Sequence, residues 1–243
     1  MSIPEDPFRE FRGPRAGPEA RSRMLEAARH ALLGGAGRTP RPGSGPILGL
    51  RIRTAAGERT VLALRNRMPV VVLRPPAVYG PGDREALRVL QMAARGFILV
   101  PAVAGARLSL VHVDDAATAV LTALTLPDLP DRPIEFDDHA DRGYGWDQIA
   151  AAAAAALGRP VRTIALPHIA LYASGAVGTL VSRLTRRPSV LSWDKVGEVL
   201  HPDWVAASQR LPGYLPRWSL PEGFKNTAEW ADSQGLLRLQ RSS

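Results

Sequence analysis

The sequence predicts an α/β fold with a buried parallel strand at its centre, on three observations. The first is Val70-Val71-Val72-Leu73, a run of β-branched and aliphatic residues without alternation. Such a run suits a strand covered on both faces. The second is the alternation of strand-like and helix-like segments from Thr54 onward, the signature of an α/β chain. The third is the loop that follows the strand, Arg74-Pro75-Pro76 and then Tyr79-Gly80-Pro81-Gly82. Ligands of open α/β sheets sit beyond the carboxyl ends of the strands, so this rigid loop is a candidate ligand wall.

Taken in order, residues 1–46 hold seven Pro and seven Gly, a composition typical of low-complexity or disordered segments. One helix is expected there, Pro18 to Leu33, with Met24, Leu25, Ala28 and Leu32 on one face and Gly34-Gly35 as its stop. Residues 54–66 read as a helix, and Val70 to Leu73 as the central strand. Arg84 to Arg95 is helical, with Leu87, Leu90, Gln91 and Ala94 spaced by three and four. Arg107 to Val113 alternates as a strand, and Asp114 is the expected N-cap of a buried helix from Asp115 to Leu126. Pro133 to Phe136 is a short strand and the one evident sheet partner of Val70–Leu73. Trp146 to Leu157 is an alanine-rich helix stopped by Gly158 and Pro160. Then come a strand from Val161 to Leu166, an apolar helix from Pro167 to Leu184 and a short helix from Ser192 to Leu200. An edge strand at Trp204 to Ala206 and an amphipathic closing helix on Phe224, Ala228, Ala231 and Leu236 complete the chain.

Composition narrows the function. The chain has 243 residues, enough for a sizeable core, and no cysteine, which excludes disulfides and thiolate chemistry. Its net charge is +8, from 31 basic and 23 acidic residues, and only Lys195 and Lys225 among the basic ones are lysine. The arginines of the N-terminal arm lack interleaved aromatics, so no nucleic-acid partner is expected. Ile164 to Leu184 is the most membrane-like stretch, but Pro167, His168 and Arg183 interrupt it, and a docked helix in a cytoplasmic protein is expected instead of a span.

Two motifs carry a resemblance. LRPPAVYGPGD at 73–83 and SLVHVDDAATAVLTAL at 109–124 resemble the C-terminal half of the NAD-dependent epimerase/dehydratase family, the extended short-chain dehydrogenases/reductases. AAGERTVLAL upstream and HPDW at His201 to Trp204 fit the same pattern. The resemblance implies an incomplete Rossmann-like, doubly wound sheet from residue 54 to 243, interleaved with a small α+β substrate-binding domain, behind an irregular arm at 1–53. It implies an oxidoreductase, epimerase or dehydratase that uses NAD or NADP on a hydroxyl-bearing small molecule such as a sugar nucleotide or a sterol-like alcohol. Arg74, Pro75, Pro76, Ala77, Val78 and Tyr79 would line the cofactor, and His112 and Arg95 the substrate.

Two parts of the family pattern do not occur in the sequence. No strand leads into a GxxGxxG turn, the element that brings backbone N–H groups to a pyrophosphate. No Tyr-x-x-x-Lys pair occurs either: Tyr79, Tyr144, Tyr172 and Tyr214 are followed four residues later by Asp83, Gln148, Ala176 and Trp218. The family alignment places that pair on Leu50 and Thr54, and no catalytic residue is assigned. The expectation is a displaced or out-of-frame first half, and its alternative a genuinely shortened protein with a natively disordered arm; the alternative to the enzyme reading is a catalytically inactive remnant or interaction module. An incomplete sheet would leave apolar surface exposed and favour self-association. Asp137, Asp138, His139 and Asp141 form an acidic loop that is expected to be a solvated connector and not a metal site.

Overall fold

A computed structural model of the chain describes residues 22, 25, 26, 28, 29, 32, 55–66, 70–128, 130–170, 172, 200–206 and 211–239. The chain divides into two compact units, each assembled from separated segments. Unit one takes Met1–Asp83, Leu110–Asp141 and Ala206–Ser219, and unit two takes Arg84–Ser109, Arg142–Val205 and Leu220–Ser243.

In unit one, helix α1 (Ala55–Leu62) runs into a 3-10 turn (Ala63–Asn66), as the sequence predicts. Strand β1 (Leu73–Arg74) pairs in parallel with β6 (Ile134–Glu135), and Ile134 N donates to Val72 O at 2.9 Å. The ladder therefore begins at Leu73, not at Val70. Its partner is only two residues long, although Val70 and Val72 are buried as a covered strand requires. Pro75 and Pro76 carry no N–H and end β1. The chain re-enters a ladder as β2 (Ala77–Tyr79), parallel to β5 (Leu110–His112). Pro133–Phe136 thus supplies the partner expected for this strand, and the diproline separates it from a second strand with a different neighbour.

Helix α3 (Val113–Leu124) starts two residues earlier than expected, and its N-cap is His112, not Asp114. The imidazole Nδ1 of His112 accepts from Asp114 N at 3.3 Å, which occupies one of the free N–H groups of the first turn. Asp114 instead pairs with Arg29, Nε to Oδ1 at 2.7 Å. The core of this unit gathers Val111, Ala116, Ala119, Ala123, Ile134, Phe136, Leu211 and Tyr214.

In unit two, α2 (Arg84–Ala93) buries Ala86, Leu90 and Ala93. Strand β3 (Phe97–Pro101) pairs in parallel with β8 (Arg162–Leu166) over five residues, Phe97 opposite Arg162 through Pro101 opposite Leu166. Sequence reasoning missed β3. A second sheet has β4 (Arg107–Leu108) at its centre, antiparallel to β7 (Tyr144–Gly145) and parallel to β9 (Asp203–Trp204). The single strand expected over Arg107 to Val113 is two short ones, because the chain leaves the β4 sheet of unit two at Ser109 and joins β2 of unit one at Leu110. Each piece is enclosed by its own surroundings, so Ser109 to Val113 is buried at every position instead of at every second one.

Helix α4 (Trp146–Leu157) has the expected limits. It starts where Gln148 Oε1 accepts from Gly145 N at 3.0 Å and stops at Gly158, which is left-handed at φ 63°. Helix α5 (Leu220–Ser233) packs on α4 and buries Leu220, Phe224, Ala228 and Ala231, whereas Leu236 lies beyond its end and is exposed. Gly143 is the constrained turn: at φ +57° a Cβ would sit 2.6 Å from Leu108 O. Of the helix expected from Pro18 to Leu33, positions 22, 25, 26, 28, 29 and 32 are helical and the rest lies outside the described residues. Of the helix expected at Pro167 to Leu184, positions 168–170 and 172 are helical, Pro167 precedes them, and the rest lies outside the described residues, as does the helix expected at Ser192 to Leu200 except Leu200. Among the described residues no helix is long and apolar enough to cross a membrane.

Candidate functional site

The loop after β1 starts with a residue held by its own neighbours. Arg74 Nη2 lies 2.7 Å from Glu58 Oε1, and Nη1 lies 3.5 Å from Glu135 Oε1. The hydrogen bond to Glu58 is the main reason its pKa is raised above the ordinary arginine value. Pro75 and Ala77 are exposed, Pro76 and Val78 are half-buried, and Tyr79 is buried. The residues expected to face a cofactor thus present a small apolar rim, with Arg74 drawn into a carboxylate pair at its edge.

Beneath the rim lies an aromatic layer. Tyr79 stands opposite His112 in the β2–β5 register, their rings edge to face at 5.5 Å. The ring of Trp218 lies tilted by 31° against the imidazole at 4.4 Å between centroids, and His112 is 0% exposed. Gly80 makes this approach possible: a Cβ there would meet Val113 Cγ1 at 2.7 Å and His112 Nε2 at 3.1 Å. His112 and Tyr79 are brought together. Arg95, the other expected substrate contact, belongs to unit two, exposed on the turn that closes α2, where its N donates to Met92 O.

Asp115 is the positioning residue that sequence reasoning missed. Its carboxylate is 1% exposed and accepts Arg217 N through both oxygens at 3.0 Å and Trp218 N at 2.9 Å. The segment Leu211–Ser219 is thereby clasped to the start of α3, with Trp218 held against His112. The double aspartate was visible; that its second member reaches a segment a hundred residues away was not.

The acidic loop folds on itself. Asp137 Oδ1 accepts from His139 N at 2.9 Å and Asp138 Oδ1 from Ala140 N at 3.2 Å. Among the described residues no group of three or more His, Cys, Asp or Glu is arranged to hold a metal ion. His139, at φ 63°, sets its ring edge to face against Tyr214 at 5.6 Å. Burial, and after it the charges of Asp115, Asp138 and Asp137, pushes the Tyr214 phenol well above its usual range.

Unit two has its own pocket, of about 400 Å³, against β3, β4, β8 and β9. Trp146, Leu99, Leu166, Leu108 and Trp204 form most of its wall, and Arg107 and His201 supply its polar side chains.

The sequence profile of the NAD dependent epimerase/dehydratase family matches residues 52–136, the stretch that holds β1, β2, β5, α3 and β6. Residues 52–136 belong to that family. The chain is 36% identical over 183 residues to the ceramide reductase of Caulobacter vibrioides (strain NA1000 / CB15N), covering 75% of this chain and 56% of that protein. The chain thus spans little more than half the length of that relative. Two solved structures share the fold. One is the crystal structure of gox2253, with TM-score 0.53, 16% identity and coverage of 98% of this chain and 77% of that one. The other is MoeE5 in complex with UDP-glucuronic acid and NAD, with TM-score 0.51, 18% identity and coverage of 89% and 71%. The fold is Rossmann-like α/β, as the sequence predicts, and the family matched over residues 52–136 is described as NAD dependent.

Proposed function

We propose that this chain supplies the nicotinamide-side wall and the substrate-binding part of an NAD(P)-dependent oxidoreductase that acts on a hydroxyl-bearing small molecule. The observation that carries the reading is the rim at Pro75 to Val78, set at the end of a parallel strand and backed by Tyr79, His112 and Trp218. Its exposed members are small and apolar, which fits the face of a flat ring. NAD or NADP, when bound, exchanges hydride with the carbon that bears the substrate oxygen. This chain's residues orient and shield: the diproline fixes the rim, and the Asp115 clasp fixes the aromatic layer under it. No residue is assigned the proton transfer.

Similar proteins point to two substrate classes. MoeE5 was solved with a sugar nucleotide, and the Caulobacter relative is named for ceramide, an N-acylated long-chain amino alcohol. The alternative of an inactive module stands on the lack of a Tyr-x-x-x-Lys pair in the sequence.

The test is a titration of the full chain with NADH and NADPH, read by nicotinamide fluorescence. Saturable binding is expected, weakened at least tenfold by Ala77→Glu, which places a charge on an exposed position of the rim. Absence of saturable binding refutes the cofactor reading. Binding without turnover of any hydroxyl or carbonyl substrate favours the inactive module.

A further inference from the structure

The unit-two pocket is apolar where a sugar nucleotide needs charge. Recognition of a diphosphate calls for free cationic donors or a helix N-terminus aimed at it. Arg107 is the cation in the wall, and its guanidinium is turned to the protein's own backbone. Nε donates to Arg142 O at 2.6 Å, and Nη2 donates to Gly143 O at 2.8 Å and Gln148 Oε1 at 3.2 Å. His201 Nδ1 accepts from Asp203 N at 3.2 Å, and its ring leans on Trp204 at 5.2 Å. The polar side chains of the wall thus brace it.

The apolar surface does not end at the pocket. Leu99 lies opposite Ile164 in the β3–β8 register, and Pro101 opposite Leu166. These four share one face of the strand pair, because side chains two apart point the same way. Leu99 is 39% exposed, Ile164 46% and Trp204 52%. Large apolar side chains left this open beside an apolar cavity form a continuous stripe leading out of it. A pocket of this volume lies in the range of small-molecule sites.

We propose that this pocket and the Leu99–Ile164 stripe bind the hydrocarbon chain of a lipid-like substrate, with Trp204 as the side chain that covers it. The substrate role of the pocket rests on the oxidoreductase reading above; its affinity for a hydrocarbon chain does not.

The probe is a long-chain conjugated-tetraene fatty acid, whose emission rises on leaving water, added to the full chain below its micellar concentration. A homologous series of 1-alkanols then displaces it. Each methylene moved from water into the pocket tightens binding about fourfold, so the series climbs steeply until the pocket and stripe are filled. Trp204→Ala and Leu99→Asp each weaken the longer alkanols by at least about tenfold. Trp204 is half exposed, so its variant keeps the fold if Leu99→Asp does not. A flat series, or a climbing series that neither variant moves, overturns the proposal. NADH is titrated in parallel. A climbing series without NADH binding keeps the hydrocarbon site and refutes the oxidoreductase reading. NADH binding with a flat series does the reverse.

Discussion

Removing the carboxylate of Asp115 tests the central joint of unit one. In Asp115→Ala two main-chain N–H groups, of Arg217 and Trp218, lose a charged acceptor that is itself 1% exposed. A hydrogen bond to a charged group contributes about 1.5–3 kcal/mol, and a buried donor left without a partner costs about 1–3 kcal/mol. The two bonds share one carboxylate and are not additive, so the expected loss is about 3–4 kcal/mol of folding stability. Asp115→Asn keeps one acceptor oxygen but turns an amide N–H₂ towards a second donor, and its expected loss is about 2 kcal/mol. Urea unfolding followed by tryptophan emission measures both, and Trp218, stacked on His112, reports the site directly. The rival account makes Asp115 an ordinary acidic residue in the first turn of α3, favourable to the helix dipole by about 0.3–1 kcal/mol. A loss below about 1 kcal/mol in Asp115→Ala would refute the clasp and leave only the dipole.

Four further outcomes follow from individual positions. The Tyr214 hydroxyl is buried with no hydrogen-bond partner among the described residues, so Tyr214→Phe should leave stability unchanged or raise it by about 1 kcal/mol in the same urea assay. Because the folded-state phenol is shifted up, its contribution is complete below the usual value of about 10 and is lost as pH rises above it, so alkaline destabilisation should be shallower in Tyr214→Phe than in the parent chain. Gly143 and Gly158 are both left-handed, but only Gly143 has backbone in the way of a Cβ, so Gly158→Ala should cost about 1 kcal/mol and Gly143→Ala clearly more, by thermal or urea unfolding. Arg74→Ala removes two exposed ion pairs and should cost less than about 1 kcal/mol, a loss that shrinks further in high salt.

The parts of the fold that were legible in the sequence are those with local signals. The α4 limits follow from an alanine run with a glycine at each end, and Arg162–Leu166 from a short run after Gly158-Arg159-Pro160. Strand β3 had a comparable signal, Phe97-Ile98-Leu99-Val100 between Gly96 and Pro101, but it reads equally as the tail of the preceding helix. The break at Ser109 had no local signal, because it depends on two sheets that the chain joins in succession. A run of buried residues is the same in one strand or in two. The pocket was illegible for the same reason: Leu99, Trp146, Leu166 and Trp204 come from four separate elements, and only the pairing of β3 with β8 and of β4 with β9 gathers them.

The two adjacent aspartates show where residue type stops deciding role. Asp114 and Asp115 are chemically the same, stand at consecutive positions and open the same helix, and the helix-start rule names the first as the cap. Consecutive helical residues point about 100° apart, so the pair cannot share one environment. Asp114 faces outward and meets Arg29, while Asp115 faces inward and would be a buried charge without compensation. The backbone N–H groups of Arg217 and Trp218 supply that compensation, and they exist as free donors only because the chain returns past α3 in an irregular segment before α5 begins. The cap itself passes to His112, whose ring is in contact with those of Tyr79 and Trp218. One carboxylate therefore seats Trp218, Trp218 seats His112, and His112 caps the helix that carries the carboxylate. This closed loop of dependence predicts that Asp115→Ala and His112→Ala are coupled in a double-mutant cycle by at least about 0.5 kcal/mol; additive losses would mean that cap and clasp act independently.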